Sequence, residues 1–589
     1  MSRPIAPQSR ASGPGWVSLY GMIATGVILV ATVARLLIVA LGWPQNDSDE
    51  GTMGLMALHI LQRGEHPIFF YGQNYMGALE AYLAAASFKV FGVSVVSLRL
   101  GVLLLYALFL ASTYLLAALL YNRRVALASV VVLGLGTHEI LVRQLEAAGG
   151  YAETLAFGSL AMLLASWLAL SYAPTPTNTE RYRRLSAYTA WGVVVGLGLW
   201  SDVLVLPFVV AAGAILLVCC WRELRTRALA LLIIGFSLGA LPLIAYNIAP
   251  PGGQNSLVVF LQLHSAGGTG RSGVGLMLAQ QLVGTALVSV PAITGANPLC
   301  PLNQQTSWPL TAASSGQALA CTTVHGIWSV GVLGLGALGA LGALAAPGVL
   351  RRTLGRKPRD WRKAWTLLAE VERRQVMLTT CRLALLGGAA LTLASYATSP
   401  APALDPWTTA RYLLPLLIAT PLALAPLVGA GEVWWPRATR GGARLRGVGR
   451  YAVLAGVCAV LLLGMVQAFG VTPAAHAHNA QFTALQAELE RVGAVRIYTD
   501  YWTCDRIAFQ TQERIVCSVL GDDLRTGFNR YAAYARIVAA VPHAAYVFSD
   551  GSPQALALAA EANGVLRQYR RLEMDGYVVY LFQPAQAKT

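Results

Sequence analysis

Apolar runs of 18 or more residues recur along this chain from residue 17 to about residue 470. Each is long enough to cross the ~30 Å hydrocarbon core of a bilayer. Inside lipid every backbone N–H and C=O must be satisfied within the chain, so such runs form helices. Only 12% of the 589 residues are charged and 56% are hydrophobic; a soluble domain usually carries about 25% charged residues. The chain therefore reads as a polytopic α-helical membrane protein. About eleven spans are expected, near residues 17–41, 98–120, 125–142, 155–172, 187–203, 204–220, 228–248, 327–349, 376–397, 412–429 and 451–470.

The net charge of +16 resides in short basic clusters between these runs. They are Arg123-Arg124, Arg181 to Arg184, Arg222 to Arg227, Arg351 to Lys363 with Arg373-Arg374, and Arg437 to Arg450. This is the pattern of cytoplasmic loops, not of a basic face for nucleic acid. It threads the chain through a cell (plasma or inner) membrane with a cytoplasmic tail at 1–16 and the C-terminus outside. Residues 17–470 then form the transmembrane domain, with external loops at 43–96 and 250–326. Ala78 to Phe91 is too short to span and suits an interfacial or re-entrant helix. Residues 471–589 alternate strand-like and helix-like runs and read as a small extracytoplasmic α/β domain. Cys300 with Cys321, and Cys504 with Cys517, share external segments and are candidate disulfides. The glycines at 331, 334, 336, 339 and 342 read as a helix-packing stripe.

Chemistry is expected where polar groups gather near the membrane boundary. Asp47, Asp49 and Glu50 follow the first span. Three carboxylates so close call for a divalent cation such as Mg or Mn, or supply a general base; helix capping is the plainer reading. Tyr71, Gln73, Asn74, Tyr75 and Glu80 combine aromatic faces, amides and an acid suited to carbohydrate. Tyr151 and Glu153 follow Gly149-Gly150, which allows an unusual turn. Glu153 there faces the same compartment as Asp49, and the two are the candidate metal ligands. Asp202 lies at the turn between the fifth and sixth spans. Arg411, followed by Tyr412, is an arginine outside the cytoplasmic clusters and suits phosphate oxygens. Residues 268–273 match G-x-G-x-x-G literally, but no strand precedes them, so no dinucleotide site follows. Arg271, with His264, is instead a candidate for an anionic headgroup. Asp500, Asp505, Asp522 and Asp523 read as solvated surface.

Asp49-Glu50 after the first span, Leu61 to Gly64, Phe69 to Gln73, Phe91-Gly92 before Leu98-Arg99-Leu100, and Arg411 to Pro415 occur in an order that resembles the GT-C superfamily of membrane glycosyltransferases. The likeness is to the bacterial branch with protein O-mannosyltransferases and aminoarabinose transferases. Gln73 to Gly77 stand where better-known members place Lys-Pro-Pro or His-Pro-Pro. The resemblance implies a polyprenyl-phosphate sugar donor, an extracytoplasmic acceptor (protein, lipid or glycan) and inversion at the anomeric carbon. It implies that Asp49 is the catalytic carboxylate with Glu50 beside it, and that Glu153 is the second acidic position. The other readings are a transporter or flippase of a lipid-linked precursor, and a non-catalytic envelope assembly protein.

Overall fold

The structure is a computed structural model that describes residues 18–172, 177–250, 253, 255–265, 274–300, 315–345, 370–428, 440–560 and 568–583. Arg271 and the cluster Arg351 to Lys363 lie outside the described residues.

Seven described helices are long and apolar enough to cross a membrane, nine if two sharply bent pairs each count as one. The protein is thus a multi-pass membrane protein with a small C-terminal sheet domain. Two expected spans form shorter apolar helices, Val203–Cys219 and Thr408–Leu424. The segment expected as an external loop at 250–326 contains a further helix of spanning length, Met277–Thr294. Gln280, Gln281, Thr285, Ser289 and Pro291 interrupt its apolar run, which hides it in sequence. In the fold, the Thr285 hydroxyl donates to the Gln281 carbonyl and Ser289 to that of Pro406, so these groups are satisfied internally.

The first eight helices are α1 (Leu19–Ala40), α2 (Ser48–Arg63), α3 (Leu79–Phe91), α4 (Val95–Leu120), α5 (Arg123–Gly134), α6 (His138–Leu145), α7 (Tyr151–Leu170) and α8 (Asn178–Ser201). The expected single span at 125–142 is instead α5 and α6, bent by 88°. The break leaves carbonyls without helical partners. Buried Arg35 of α1 takes them: Nη1 donates to Gly134 O at 2.8 Å and Nη2 to Leu135 O at 3.3 Å. The same guanidinium donates to Gln144 Oε1 and lies 4.0 Å from the Tyr106 ring.

α2 and α3 form a layer over the membrane bundle, and α3, at 13 residues, is too short to span. On the other side of α2 sits the C-terminal domain. The helix Thr472–Arg491 leads into a five-stranded sheet of β1 (Arg496–Thr499), β2 (Val516–Val519), β3 (Ala545–Ser549), β4 (Tyr569–Met574) and β5 (Tyr577–Phe582). The order is β2-β1-β3-β5-β4; β1 is parallel to β2 and β3, and β5 is antiparallel to β3 and β4.

After β1, the helix Tyr501–Gln510 packs against α2 at closest range where α2 has glycine. A Cβ on Gly51 would lie 2.5 Å from the Asp505 backbone, and one on Gly54 would lie 2.5 Å from the Phe509 ring. One apolar core runs continuously from Met53, Met56 and Phe88 through Phe509, Ile507 and Val547. Asp505, expected on a solvated surface, is buried in this seam. It accepts from Thr52 Oγ1 at 2.7 Å, while its N–H donates to Ser48 Oγ at 2.9 Å. The physical cause is that the surface it occupies is covered by α2, with its partner Thr52 453 residues away in sequence. Both candidate disulfides are present, Cys300–Cys321 and Cys504–Cys517. The second ties the α2-facing helix to β2.

A polar lock closes the far end of the seam. Glu513 accepts from Tyr534 OH at 2.7 Å and from Arg63, and lies 3.2 Å from His59 Nε2. Burial alone would raise the Glu513 carboxyl, but hydrogen bonds with His59, Tyr534 and Arg63 outweigh it and bring it down to about 2. A folded-state value below the unfolded value of about 4.3 means stability present above that pH and lost as pH falls toward 2. The expected size is only about 1 kcal/mol because the site is partly open to solvent. Acid thermal-unfolding curves of the wild type should therefore fall more steeply between about pH 5 and pH 2 than those of Glu513→Gln.

Candidate active site

The site is assembled at the α2 N-terminus. Asp47 is the helix cap: its Oδ1 accepts from Glu50 N at 2.9 Å. Burial raises its carboxyl to about 6 against that bond. The capping reading of this acidic run thus holds for Asp47, and the next two acids have separate tasks.

Glu50 is fully buried and bonded on both oxygens. Arg99 of α4 donates Nε to Oε1 and Nη2 to Oε2, each at 2.6 Å. Asn46 Nδ2 and the Ala147 N–H complete the set, at 2.8 and 3.1 Å. A carboxylate so occupied cannot reach a substrate. Expected as catalytic, Glu50 instead braces α2 against α4 and the α6–α7 turn. Beside it, burial pushes Glu146 up to about 8, opposed by Arg143 at 3.4 Å.

Asp49 is differently placed. Its Oδ1 accepts from the Tyr501 hydroxyl and from Arg530 Nη2 (2.7 Å) and Nε (3.2 Å). Oδ2 receives no hydrogen bond among the described residues, and the side chain is 26% exposed. Asp49 is therefore the carboxylate of the first loop with an oxygen to offer.

Glu153, at the start of α7, meets Glu80 of α3. Gly149 (φ +87°) and Gly150 (φ +82°) turn the chain so that the Gly149 N–H donates to Glu80 Oε2 at 2.9 Å. Both carboxyls are buried. Burial, with the Glu153 charge next, holds the Glu80 carboxyl well above its ordinary range. A dry carboxyl beside a second acid favours its neutral form.

Arg411 faces this group from the segment Thr408–Ala419. It lies 6.0 Å from the Tyr151 ring and 5.4 Å from that of Tyr412, and feels the Asp49 charge. Its buried Nε has no hydrogen-bond partner among the described residues. Asp202 caps the next turn by accepting from Leu204 N at 2.8 Å; it abuts Gly150 and couples electrostatically to Arg411 and Glu153. Tyr75 couples to Tyr412, Asp202, Arg530 and Arg411. Electrostatic influence thus links Asp49, Tyr75, Asp202, Glu153 and Arg411, with Glu80, Tyr151 and Tyr412 beside them, across five separate stretches.

Other expected residues stand apart. The Tyr71 hydroxyl is engaged with His59 and Glu65, each at 2.9 Å, in the lock at the other end of α2. Gln73 and Asn74 lie on the turn before Tyr75, half-buried and exposed, with no side-chain hydrogen bond among the described residues. Sequence reading missed Arg530, Tyr501 and Arg99. Arg99 lay in a quoted motif; nothing local marks the other two.

The metal reading fits less well. Asp49 already has a guanidinium counter-ion. Among the described residues, the one trio of His, Cys, Asp or Glu with ligand atoms within 4.8 Å is Cys504, Asp505 and Cys517. Its two sulfurs are bonded to each other and offer no thiolate.

A large apolar cavity of about 760 Å³ lies among the membrane helices, and none of the site side chains named above is in its wall. Gln144, Leu299, Trp328, Leu386, Leu416 and Val460 are among its walls. Gly331 and Gly336 border it with nothing within 4 Å of an added Cβ, while Gly339 abuts Leu422. The glycine stripe therefore serves helix contact at Gly339 and leaves space at the other two.

Bundle, α2–α3 layer and docked sheet domain together define a GT-C-like fold. The chain is similar to ArnT from Cupriavidus metallidurans bound to undecaprenyl phosphate, with 14% identity and a TM-score of 0.51 over 96% of this chain and 98% of that one. It is also similar to the Archaeoglobus fulgidus oligosaccharyltransferase tethered with an acceptor peptide, with 14% identity and a TM-score of 0.50 over 97% of this chain and 76% of that one. No protein-family model matches the sequence, and no curated protein matches it.

Proposed function

We propose that the protein is an inverting glycosyltransferase that moves a sugar from a polyprenyl-phosphate donor to an acceptor on the extracytoplasmic face of the membrane. The observation that carries this reading is a half-open carboxylate, Asp49, within electrostatic reach of a half-buried arginine, Arg411, whose segment runs on into the wall of an apolar cavity among the membrane helices. The cavity suits an isoprenoid tail, and Leu416 and Leu417 in its wall follow Arg411 on one segment. Undecaprenyl phosphate in the similar ArnT structure supports the same ligand class. Disulfides in two segments support an oxidising compartment for this face.

In the reaction, the acceptor hydroxyl hydrogen-bonds to Asp49 Oδ2 and attacks the anomeric carbon from the side opposite the phosphate. The new C–O bond forms as the bond to the phosphate oxygen breaks, and the hydroxyl proton passes to Asp49 and on to water. The phosphate leaves as an anion, its charge met by Arg411. Tyr75, Tyr151 and Tyr412 offer rings and hydroxyls to the sugar. No step requires a cation.

Purified protein in nanodiscs, given undecaprenyl-phosphate sugars and candidate acceptors, should release undecaprenyl phosphate. No release with any donor would remove the reading. Arg411→Ala should weaken binding of undecaprenyl phosphate about tenfold to hundredfold, the worth of a charge-assisted hydrogen bond. Gly331→Trp should also weaken it by filling the cavity, while binding of short-chain phosphates stays unchanged.

A further inference from the structure

We propose, on the basis of that transfer reading, that the C-terminal domain is part of the active site: Arg530, with Tyr501, is a positioning residue that anchors one oxygen of Asp49 and leaves the other for the acceptor. Three donor atoms converge on Oδ1, namely the Tyr501 hydroxyl and Arg530 Nε and Nη2. None reaches Oδ2. A carboxylate held by one edge cannot rotate about its χ2 bond, so its second oxygen keeps a fixed direction.

Arg530 is itself held. Its side chain is 5% exposed and its guanidinium lies 4.6 Å from the Phe70 ring and 5.5 Å from those of Phe528 and Tyr501. Nη1 donates to the Tyr71 carbonyl at 3.2 Å and Nε to the Tyr501 oxygen at 2.5 Å. Tyr501 follows β1 and Arg530 follows β2, two adjacent parallel strands. Both groups thus project from the carboxyl edge of the parallel sheet, where α/β folds place their ligand crevices. The domain remains docked without Arg530, because the Asp505–Thr52 bond, the Glu513 lock and the Gly51–Gly54 contact are separate from it.

The test combines labelling and turnover in full-length protein in nanodiscs. A water-soluble carbodiimide with glycine ethyl ester, read by peptide mass spectrometry, reports access to the Asp49 carboxylate. Labelling of Asp49 should rise at least about threefold in Arg530→Gln, rise less in Tyr501→Phe, and return toward wild type in Arg530→Lys. Release of undecaprenyl phosphate by Arg530→Gln should fall about a hundredfold in kcat, with KM for the donor within about twofold and partial recovery in Arg530→Lys. Unchanged labelling in Arg530→Gln would overturn the proposal. So would wild-type turnover in Arg530→Gln where Asp49→Asn is dead. Should the wild type release no lipid phosphate from any donor, the transfer reading fails, and the labelling alone decides whether Arg530 fixes Asp49.

Discussion

Asp49→Asn should lower sugar transfer by about a thousandfold while the protein expresses, folds and binds undecaprenyl phosphate as before. The substitution keeps the shape, so the packing of Phe70, Phe528 and Tyr501 around Arg530 remains. It removes the charge that receives the acceptor proton. It also leaves Arg530 buried without its counter-ion, which carries a stability cost. The rate comparison is therefore made alongside a thermal-unfolding curve and a lipid-phosphate binding curve. Loss of turnover at a temperature where the variant is still folded, with the lipid-phosphate binding curve close to wild type, assigns the effect to chemistry. Asp49→Glu retains the charge and displaces Oδ2 by one methylene, and should recover no more than about a tenth of the wild-type rate, because reacting groups tolerate little misplacement. Wild-type turnover in Asp49→Asn would remove Asp49 from the mechanism.

The second large effect is on stability. Glu50 and Arg99 are both fully buried and joined by two bonds of 2.6 Å. Removing one partner leaves an uncompensated charge in a dry site, at a cost of about 3–5 kcal/mol. Glu50→Gln and Arg99→Met should each lower the thermal midpoint in detergent by several degrees and scatter the α6–α7 turn, since Ala147 N also bonds to Glu50. The double variant Glu50→Gln/Arg99→Met removes both charges and should be more stable than either single variant. Equal and additive losses would mean that the pair is worth little and that Glu50 acts elsewhere.

The two acids are adjacent in sequence, and their separation into different tasks shows where sequence reading stops. Apolar run length exposed the membrane bundle, because lipid admits so few backbone solutions. The acids after the first span and Arg411 were legible because charge is costly near a bilayer and its retention marks purpose. Asp49 and Glu50 could not be distinguished, since one helical step turns one side chain to Arg99 and the other to the docked domain. Asp505 and Arg530 carried no signal, because each acquires its partner only when the helix Tyr501–Gln510 of the C-terminal domain packs onto Gly51 and Gly54 of α2, about 450 residues upstream. The helix Met277–Thr294 was obscured because polar residues break its apolar run; Thr285 is satisfied by the helix's own Gln281 carbonyl and Ser289 by the distant Pro406 carbonyl.

The most direct test is a structure of the protein in nanodiscs with undecaprenyl phosphate bound. The expected result has the phosphate oxygens within hydrogen-bonding distance of Arg411, the first isoprene units in the cavity bordered by Gly331 and Gly336, and Asp49 Oδ2 facing the phosphate across a gap the size of one sugar ring. A phosphate seated away from Arg411, or a tail that leaves that cavity empty, would contradict the account.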